Sequence, residues 1–273
     1  MSDSLSKSKI TDIEGVKPVN PNSMDTGNDI CDQSDKLNKI ISIEKNRTVE
    51  ETIKISPKFE QLGIVLKQDS KANIFKQTAG EDQLQVKIFL HQGSELNYYT
   101  NNITLKKGKF EHKAYLLGEH SQVRMYSLNL SKKQQQIKEK IQAIHKSDKS
   151  SSDIKVKSVL MDRSRISSNV LTKVEGNCFN CSGEQQIDGL MYSDMAMMDA
   201  QPNLEIANDQ VECSHGVTIS RLDDEDIFYL LSRGLNKEDS YKKLVQAHFG
   251  EILTNINDSD IKSEIKNQIQ SRI

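Results

Sequence analysis

Tryptophan is absent from the 273 residues, and apolar side chains of every kind make up only 35% of the chain. A chain of this length can bury a substantial core. So small an apolar share implies either an unfolded portion or a thin, repetitive core. No apolar run approaches the roughly 20 residues that a membrane-spanning helix needs. The N-terminus also lacks the apolar stretch of a secretory signal. Neither sign of charge prevails: 37 basic residues face 39 acidic ones, for a net charge of −2. No whole-molecule field therefore directs the chain to nucleic acid or to an anionic membrane. Cysteine is scarce as well, and Cys31, Cys178, Cys181 and Cys213 do not make a disulfide framework in a chain this long. A reducing, cytoplasmic compartment is the expectation. The P-loop, the Gly-x-Ser-x-Gly elbow and the His-Glu-x-x-His zinc motif are all missing, so neither ATPase nor hydrolase chemistry is expected of this chain.

What is present falls into three stretches. Residues 1–48 are polar and aperiodic, with Gly15, Pro18, Pro21 and Gly27, and read as a disordered tail holding an exposed Cys31 thiol. Leu37, Ile40 and Ile41 fall at helical spacing, so a short partner-binding helix over 36–43 is the alternative there. Residues 49–220 switch to period two. Leu84, Val86 and Ile88 alternate with polar neighbours, and so do Ile103 with Leu105 and Val123 with Met125. Lys107-Gly108 reads as a turn. Strand centres near residues 86, 104 and 125 lie about 18 to 21 residues apart and, after a gap, those near 156, 172, 188 and 205 about 16 to 17 apart, a near-constant period as in the stacked rungs of a solenoid. A β-sandwich, with denser turn signals, is the weaker alternative. Between Ser131 and Ser152 the strand rhythm lapses. Ile137, Ile141 and Ile144 suit a short amphipathic turn, and His145 reads as an exposed loop histidine.

Residues 221–273 read as helical. Asp223 and Asp224 suit a helix start, and Gly234 suits a left-handed stop. Asn236 suits the cap of a second helix carrying Tyr241, Leu244, Val245, His248 and Ile252 on one face. Asp258 opens a third helix with Ile261, Ile265 and Ile269 in a stripe. These apolar faces need a partner, and the open end of the solenoid is the expected one.

The stretch from Gln201 to Leu235 carries a longer signal. It contains Pro202-x-Leu204-Glu205-Ile206, then Cys213-Ser214-His215-Gly216-x-Thr218. Leu222-Asp223-x-Glu225, Phe228-Tyr229-Leu230 and Ser232-Arg233-Gly234 follow in order. This ordered set resembles the SufB/SufD family, scaffold subunits of SUF iron–sulfur cluster assembly, in its SufD form. The resemblance is strongest over about residues 154–254. It implies a mainly β fold: a right-handed parallel β-helix followed by a C-terminal helical domain. It implies a non-enzymatic scaffold that pairs with a SufB-like paralogue. It implies a SufC-like ABC ATPase docked on the C-terminal helices, through Phe228, Tyr229, Arg233, Gly234, Tyr241 and Leu244. A transient iron–sulfur cluster would be shared with the paralogue, with none bound tightly by the isolated chain. A homodimer is the alternative open to the chain without its partner.

His215 is the leading site residue. Without a bulge, Val211, Cys213, His215, Val217 and Ile219 share one face of a strand. A histidine on such a face is commonly a packed core residue; the resemblance instead makes it a metal ligand at the paralogue interface. Imidazole and thiolate both suit iron. Cys213, on the same face, is a second candidate, with a buried inert thiol as the alternative. Cys178-x-x-Cys181 looks like half a zinc knuckle, yet about two rungs would separate it from Cys213 and His215, too far for one metal. Two other readings stay open: a stand-alone β-solenoid enzyme acting on polysaccharide, and a homodimeric metal-binding protein using Cys178, Cys181 and Cys213.

Overall fold

The computed structural model describes residues 16–19, 39–55, 61–222 and 224–273. The strands are β1 (Val16–Val19), β2 (Lys39–Ile43), β3 (Thr48–Ile55), β4 (Gln61–Leu66) and β5 (Lys71–Gln77). They continue as β6 (Gly80–Leu90), β7 (Glu95–Asn102), β8 (Leu105–Leu116), β9 (Gln122–Ser131) and β10 (Gln136–His145). The last are β11 (Ser151–Leu160), β12 (Arg165–Val174), β13 (Cys181–Met191), β14 (Met197–Ile206) and β15 (Val211–Arg221). Three helices follow: α1 (Asp224–Ser232), α2 (Lys237–Asn255) and α3 (Ser259–Arg272).

Strands alternate between two sheets. One runs β1-β2-β4-β6-β8-β10-β12-β14 and the other β15-β13-β11-β9-β7-β5-β3. Apart from the antiparallel β1–β2 pair, the pairings are parallel. Each coil thus lays one strand in each sheet, which makes a parallel β-solenoid, as the rung rhythm and the resemblance both imply. The full coil is longer than the strand spacing suggests. Facing residues are 23 apart at Glu44 and Lys67 and 32 apart at Ser167 and Asp199. The step from one sheet to the other is about 12–17 residues, which the later centres, 16 to 17 apart, follow; the strand centre expected near 104 instead falls in the turn between β7 and β8.

Alternation decides which side chains enter the solenoid. In β11, Ile154, Val156 and Leu160 are buried in the axial core, while Lys155 and Lys157 face outward. The axial core is thin and mostly aliphatic, from Ile41 to Ile187. This explains how so low an apolar share suffices. At the corners, Asn46, Asp69, Gly93, His120, Lys149 and Asn180 take left-handed φ values. Asn, Asp and Gly tolerate that geometry best. Ser70, Ser94, Ser121 and Ser150 come next, all fully buried. The Oγ of Ser70, Ser94 and Ser150 donates to the carbonyl three residues back, at 2.6–2.7 Å.

Four local expectations need correction. Residues 16–19 and 39–48 lie in the stretch expected as a tail, yet β1 pairs with β2, and Ile40, Ile41 and Ile43 are buried. The residues expected as a helix over 36–43 include strand β2, because Ile41 and Ile43 alternate into the core; Cys31 lies outside the described residues. Lys107-Gly108 is no turn. β8 runs through it, and Gly108 faces inward, where a Cβ would meet Phe110 and Leu105 at 2.4–2.5 Å. The expected gap at 131–152 contains β10 and the start of β11. There Ile137, Glu139, Ile141, Ala143 and His145 all turn inward.

Glu139 hid that strand by breaking the apolar alternation. Its carboxylate is enclosed and accepts from Ser127 Oγ at 2.7 Å, Asn129 Nδ2 at 2.7 Å and Ser168 Oγ at 2.6 Å. Asn129 accepts in turn from Asn102 Nδ2 at 2.8 Å, and Asn102 Oδ1 from Thr78 Oγ1 at 2.9 Å. Burial raises the Glu139 carboxyl above the ordinary carboxylate range.

His145, expected on a loop, is fully buried between Ser150 Oγ at 2.8 Å and Ser152 Oγ at 2.9 Å. Burial lowers it to about 4. A group depressed on folding stabilises above its unfolded value and loses that contribution as pH falls through the folded one. The drop from 6.5 to about 4 corresponds to about 3 kcal/mol. The stability gap between wild type and His145→Gln should therefore be widest at pH 7 and close by about this amount on descent to pH 4. Denaturant titrations across that range will read it. A gap that is flat with pH would contradict the buried neutral imidazole.

The helices do not cover the open end of the solenoid, the partner expected for their apolar faces. α2 and α3 pack Val245, Phe249, Ile252, Ile261, Ile265 and Ile269 against outward-facing Phe75, Tyr99, Tyr126, Leu128 and Val159. They therefore clad the side of the second sheet. Tyr99 donates to Asn255 O at 2.8 Å, and Glu251 takes Lys155 at 2.6 Å and Lys157 at 2.9 Å. The expected caps of α2 and α3 are in place: Asn236 accepts from Asp239 N, and Asp258 from Asp260 N and Ile261 N; Asp223, expected at the start of the first helix, lies outside the described residues. Gly234, at φ +89°, follows α1.

Candidate functional site at the open end of the solenoid

The last coil is built like the others and buried like none of them. β14 and β15 are the terminal strands of their sheets, so each has an edge with no strand beyond it among the described residues. Such an edge carries unpaired N–H and C=O groups that template pairing with another chain. The core column that is fully closed at Ile187 emerges at Val217, which is 42% exposed, and Ile219 is 41% exposed beside it. Ile206 and Met197 are exposed on β14.

His215 sits in the middle of this rung. The β13–β15 register runs unbroken from Cys181↔Val211 to Met191↔Arg221, with Gln185 under His215 and Ile187 under Val217. No bulge intervenes, so Val211, Cys213, His215, Val217 and Ile219 continue one inward column, as the alternation predicts. Gly216 lies on the other face, where a Cβ would meet the Gln186 amide at 2.4 Å. His215 is exposed and Cys213 half-buried. Two residues apart on one strand, their Cα atoms are about 6.6 Å apart, close enough to address one small ligand from one side.

The three described cysteines come together more closely than expected. Cys178, Cys181 and Cys213 pack with Val174 and Val211 in one small cluster. The two-rung separation estimate fails because the coil is about 30 residues long rather than half that, so Cys178 and Cys213 are one coil apart. The thiols are nonetheless poorly suited to metal. Burial pushes Cys178 up to about 11 and raises Cys213, and thiolate is the ligating form. Cys181 occupies the corner column of Ser70, Ser94, Ser121 and Ser150; its Sγ lies 3.4 Å from Ser150 Oγ and 3.4 Å from Ser147 O. Among the described residues, no group of three or more His, Cys, Asp and Glu side chains is arranged to hold a metal ion.

On the helical side, Phe228 is 71% and Tyr229 57% exposed, with Leu231 beside them. Arg233 lies over the Tyr229 ring at 5.4 Å. Tyr241 is engaged within the fold, its ring edge-on to Tyr192 at 5.2 Å, and Leu244 is half-buried. The six residues expected to dock an ATPase thus divide into an exposed group on and just after α1 and two partly covered residues of α2. No helix among the described residues is long and apolar enough to cross a membrane.

Residues 85–248 match the family described as SUF system FeS cluster assembly, SufBD core domain. The chain belongs to the SufBD core family. The match spans β7 through β15, most of β6 and much of the helical region, including His215. Among curated relatives, iron-sulfur cluster assembly protein SufD of Escherichia coli (strain K12) is 32% identical over 158 residues, 58% of this chain and 37% of that protein. A SufBD family protein of Synechocystis sp., slr0076, is 39% identical over 89 residues, 32% of this chain and 20% of that one. Protein ABCI7, chloroplastic, of Arabidopsis thaliana is 30% identical over 81 residues, 30% of this chain and 17% of its own length. The chain spans well under half the length of these curated relatives.

Proposed function

We propose that this SufBD chain is a non-enzymatic scaffold subunit that docks a SufB-like paralogue on its open terminal rung and carries a SufC-like ABC ATPase on its helices. The observation that supports this best is the uncovered last coil, which presents His215 and Cys213 in a setting of exposed Val217, Ile219 and Ile206. An apolar surface flanked by two open strand edges fits a second β-solenoid, whose own edges could complete the sheets. His215 and, less directly, Cys213 offer at most two ligands. A tetrahedrally coordinated iron needs more donors, and the partner surface is the place for them. The cluster is cargo, held in transit at this interface. The apolar, aromatic face of α1, with Phe228, Tyr229 and Arg233, fits an ATPase contact. ATP-driven movement of that contact would rearrange the β-solenoid interface and expose the cluster. A cytoplasmic location goes with this role.

Co-expression with SufB-like and SufC-like proteins of the same organism, with purification on a tag carried by this chain alone, tests the reading. The expected result is co-elution of three proteins and loss of the ATPase on Phe228→Asp with Tyr229→Asp. His215→Ala should keep the complex and lose anaerobic cluster formation by at least tenfold. A chain that elutes alone overturns the scaffold reading.

A further inference from the structure

Directly beneath His215 lies a polar group with an unmet need. Gln185 is the Cα partner of His215 across the β13–β15 pair and is 1% exposed. Its Nε2 donates to Thr172 Oγ1 at 2.8 Å and to Asn203 O at 3.0 Å. The Asn203 carbonyl can only accept, so the amide orientation is fixed. That leaves Gln185 Oε1 buried with no hydrogen-bond partner. A buried carbonyl without a donor costs about 1–3 kcal/mol, and native cores rarely hold one without a reason. In-register parallel residues share a face and lie about 4.8 Å apart. The imidazole of His215 is therefore the adjacent side chain on the column of this acceptor, one rung out toward the open end.

We propose that Gln185 is a positioning residue for His215: with the imidazole turned down onto it, Oε1 accepts one ring N–H, which fixes the tautomer and leaves the other ring nitrogen to face the partner and the iron. This rests on the reading of His215 as a ligand given above. The chemistry is general. A histidine that binds metal through one nitrogen nearly always donates the other N–H to a fixed acceptor, which orients the ring and strengthens it as a ligand. Here the acceptor is itself fixed from behind by Thr172 and Asn203, so the histidine gains a rigid support although it stands on an exposed rung. The same contact accounts for a glutamine at a core position where the neighbouring coil places Ile154.

Histidine tautomers report on this contact without any metal. In the full chain labelled with 15N-histidine, long-range 1H–15N spectra, assigned through His215→Asn, should show one tautomer of His215 in excess by about fivefold, the bias that a net hydrogen bond of about 1 kcal/mol gives. Gln185→Met keeps the length and removes the carbonyl, and should return His215 to the distribution of a free imidazole. Thr172→Val, which removes only a partner of the amide nitrogen, should leave the bias in place. Gln185→Ile, matching the Ile154 of the neighbouring coil, also removes the carbonyl and should erase the bias, which decides the matter if the Met variant fails to fold. Equal tautomer ratios in wild type and in Gln185→Met or Gln185→Ile overturn the proposal. In the assembled complex, Gln185→Met should lower cluster yield several-fold and His215→Ala should abolish it. If His215→Ala still builds clusters, the ligand reading fails and positioning has nothing to serve. If His215→Ala abolishes clusters while the tautomer ignores Gln185, positioning alone falls.

Discussion

Replacing Val217 and Ile219 together by Asp should abolish association with a SufB-like paralogue, weakening it by at least about 100-fold, while leaving the chain folded. The contrast between the two effects is the point. Within the chain alone these side chains are 42% and 41% exposed, so charges placed there still reach water, and the pair should cost no more than about 2 kcal/mol of stability. One coil earlier, Ile187 in the same column is fully closed. If a partner closes the terminal rung as each coil closes the one before it, both carboxylates are driven into an apolar contact. Burying an unpaired charge costs several kcal/mol, and about 2.7 kcal/mol already corresponds to 100-fold. Size-exclusion chromatography of the mixed proteins, with melting of the variant alone, separates the outcomes. Undiminished association would mean that the partner binds elsewhere.

Glu139→Leu should destabilise the chain by about 3–5 kcal/mol, the largest effect of any single polar substitution expected here. The carboxylate gathers Ser127, Asn129 and Ser168 inside the axial core. Removing it leaves buried donors without their acceptor, each at a cost of about 1–3 kcal/mol, although Asn129 keeps Ser158 Oγ at 3.3 Å. Glu139→Gln retains an acceptor oxygen and should cost less. The pH dependence carries the opposite sign to that of His145. A carboxyl whose value is raised on folding contributes fully at low pH, and the contribution is lost as pH rises through the folded value. Urea titrations should therefore find wild type and Glu139→Gln diverging toward acid, with wild type favoured. A gap constant from pH 4 to pH 7 would contradict a carboxyl raised by burial.

Both residues also show where the sequence was hard to read. Strands with uniformly apolar inward positions, such as Leu84-Val86-Ile88, announced themselves by alternation. β10 did not, because Glu139 and His145 occupy inward positions and their partners come from β9, β11 and β12, which no local pattern displays. Gly108 misled for a related reason. Glycine marks turns in most settings, and here it makes room for Phe110 on a strand interior. The helix caps at Asn236 and Asp258 were legible since capping is local, whereas the face against which the helices pack depends on the outward row Phe75, Tyr99, Tyr126 and Leu128, spread over three strands. His215 is singled out as a candidate by its motif, and its strand face is legible from alternation. Gln185 was not found at all. Its relation to His215 is a 30-residue offset, and that offset emerges only once the coil length is known. The same missing number placed Cys178 too far from Cys213.

The most direct measurement is amide hydrogen exchange over β14 and β15 in the chain alone and after addition of the SufB-like paralogue. An open rung with free strand edges should exchange rapidly along its outer N–H groups in the isolated chain. Docking should slow exchange there by at least about tenfold and leave β9 and β11, already enclosed, unchanged. Binding of the paralogue with no new protection in 197–221 would contradict the terminal rung as the docking surface, and with it the place assigned to His215.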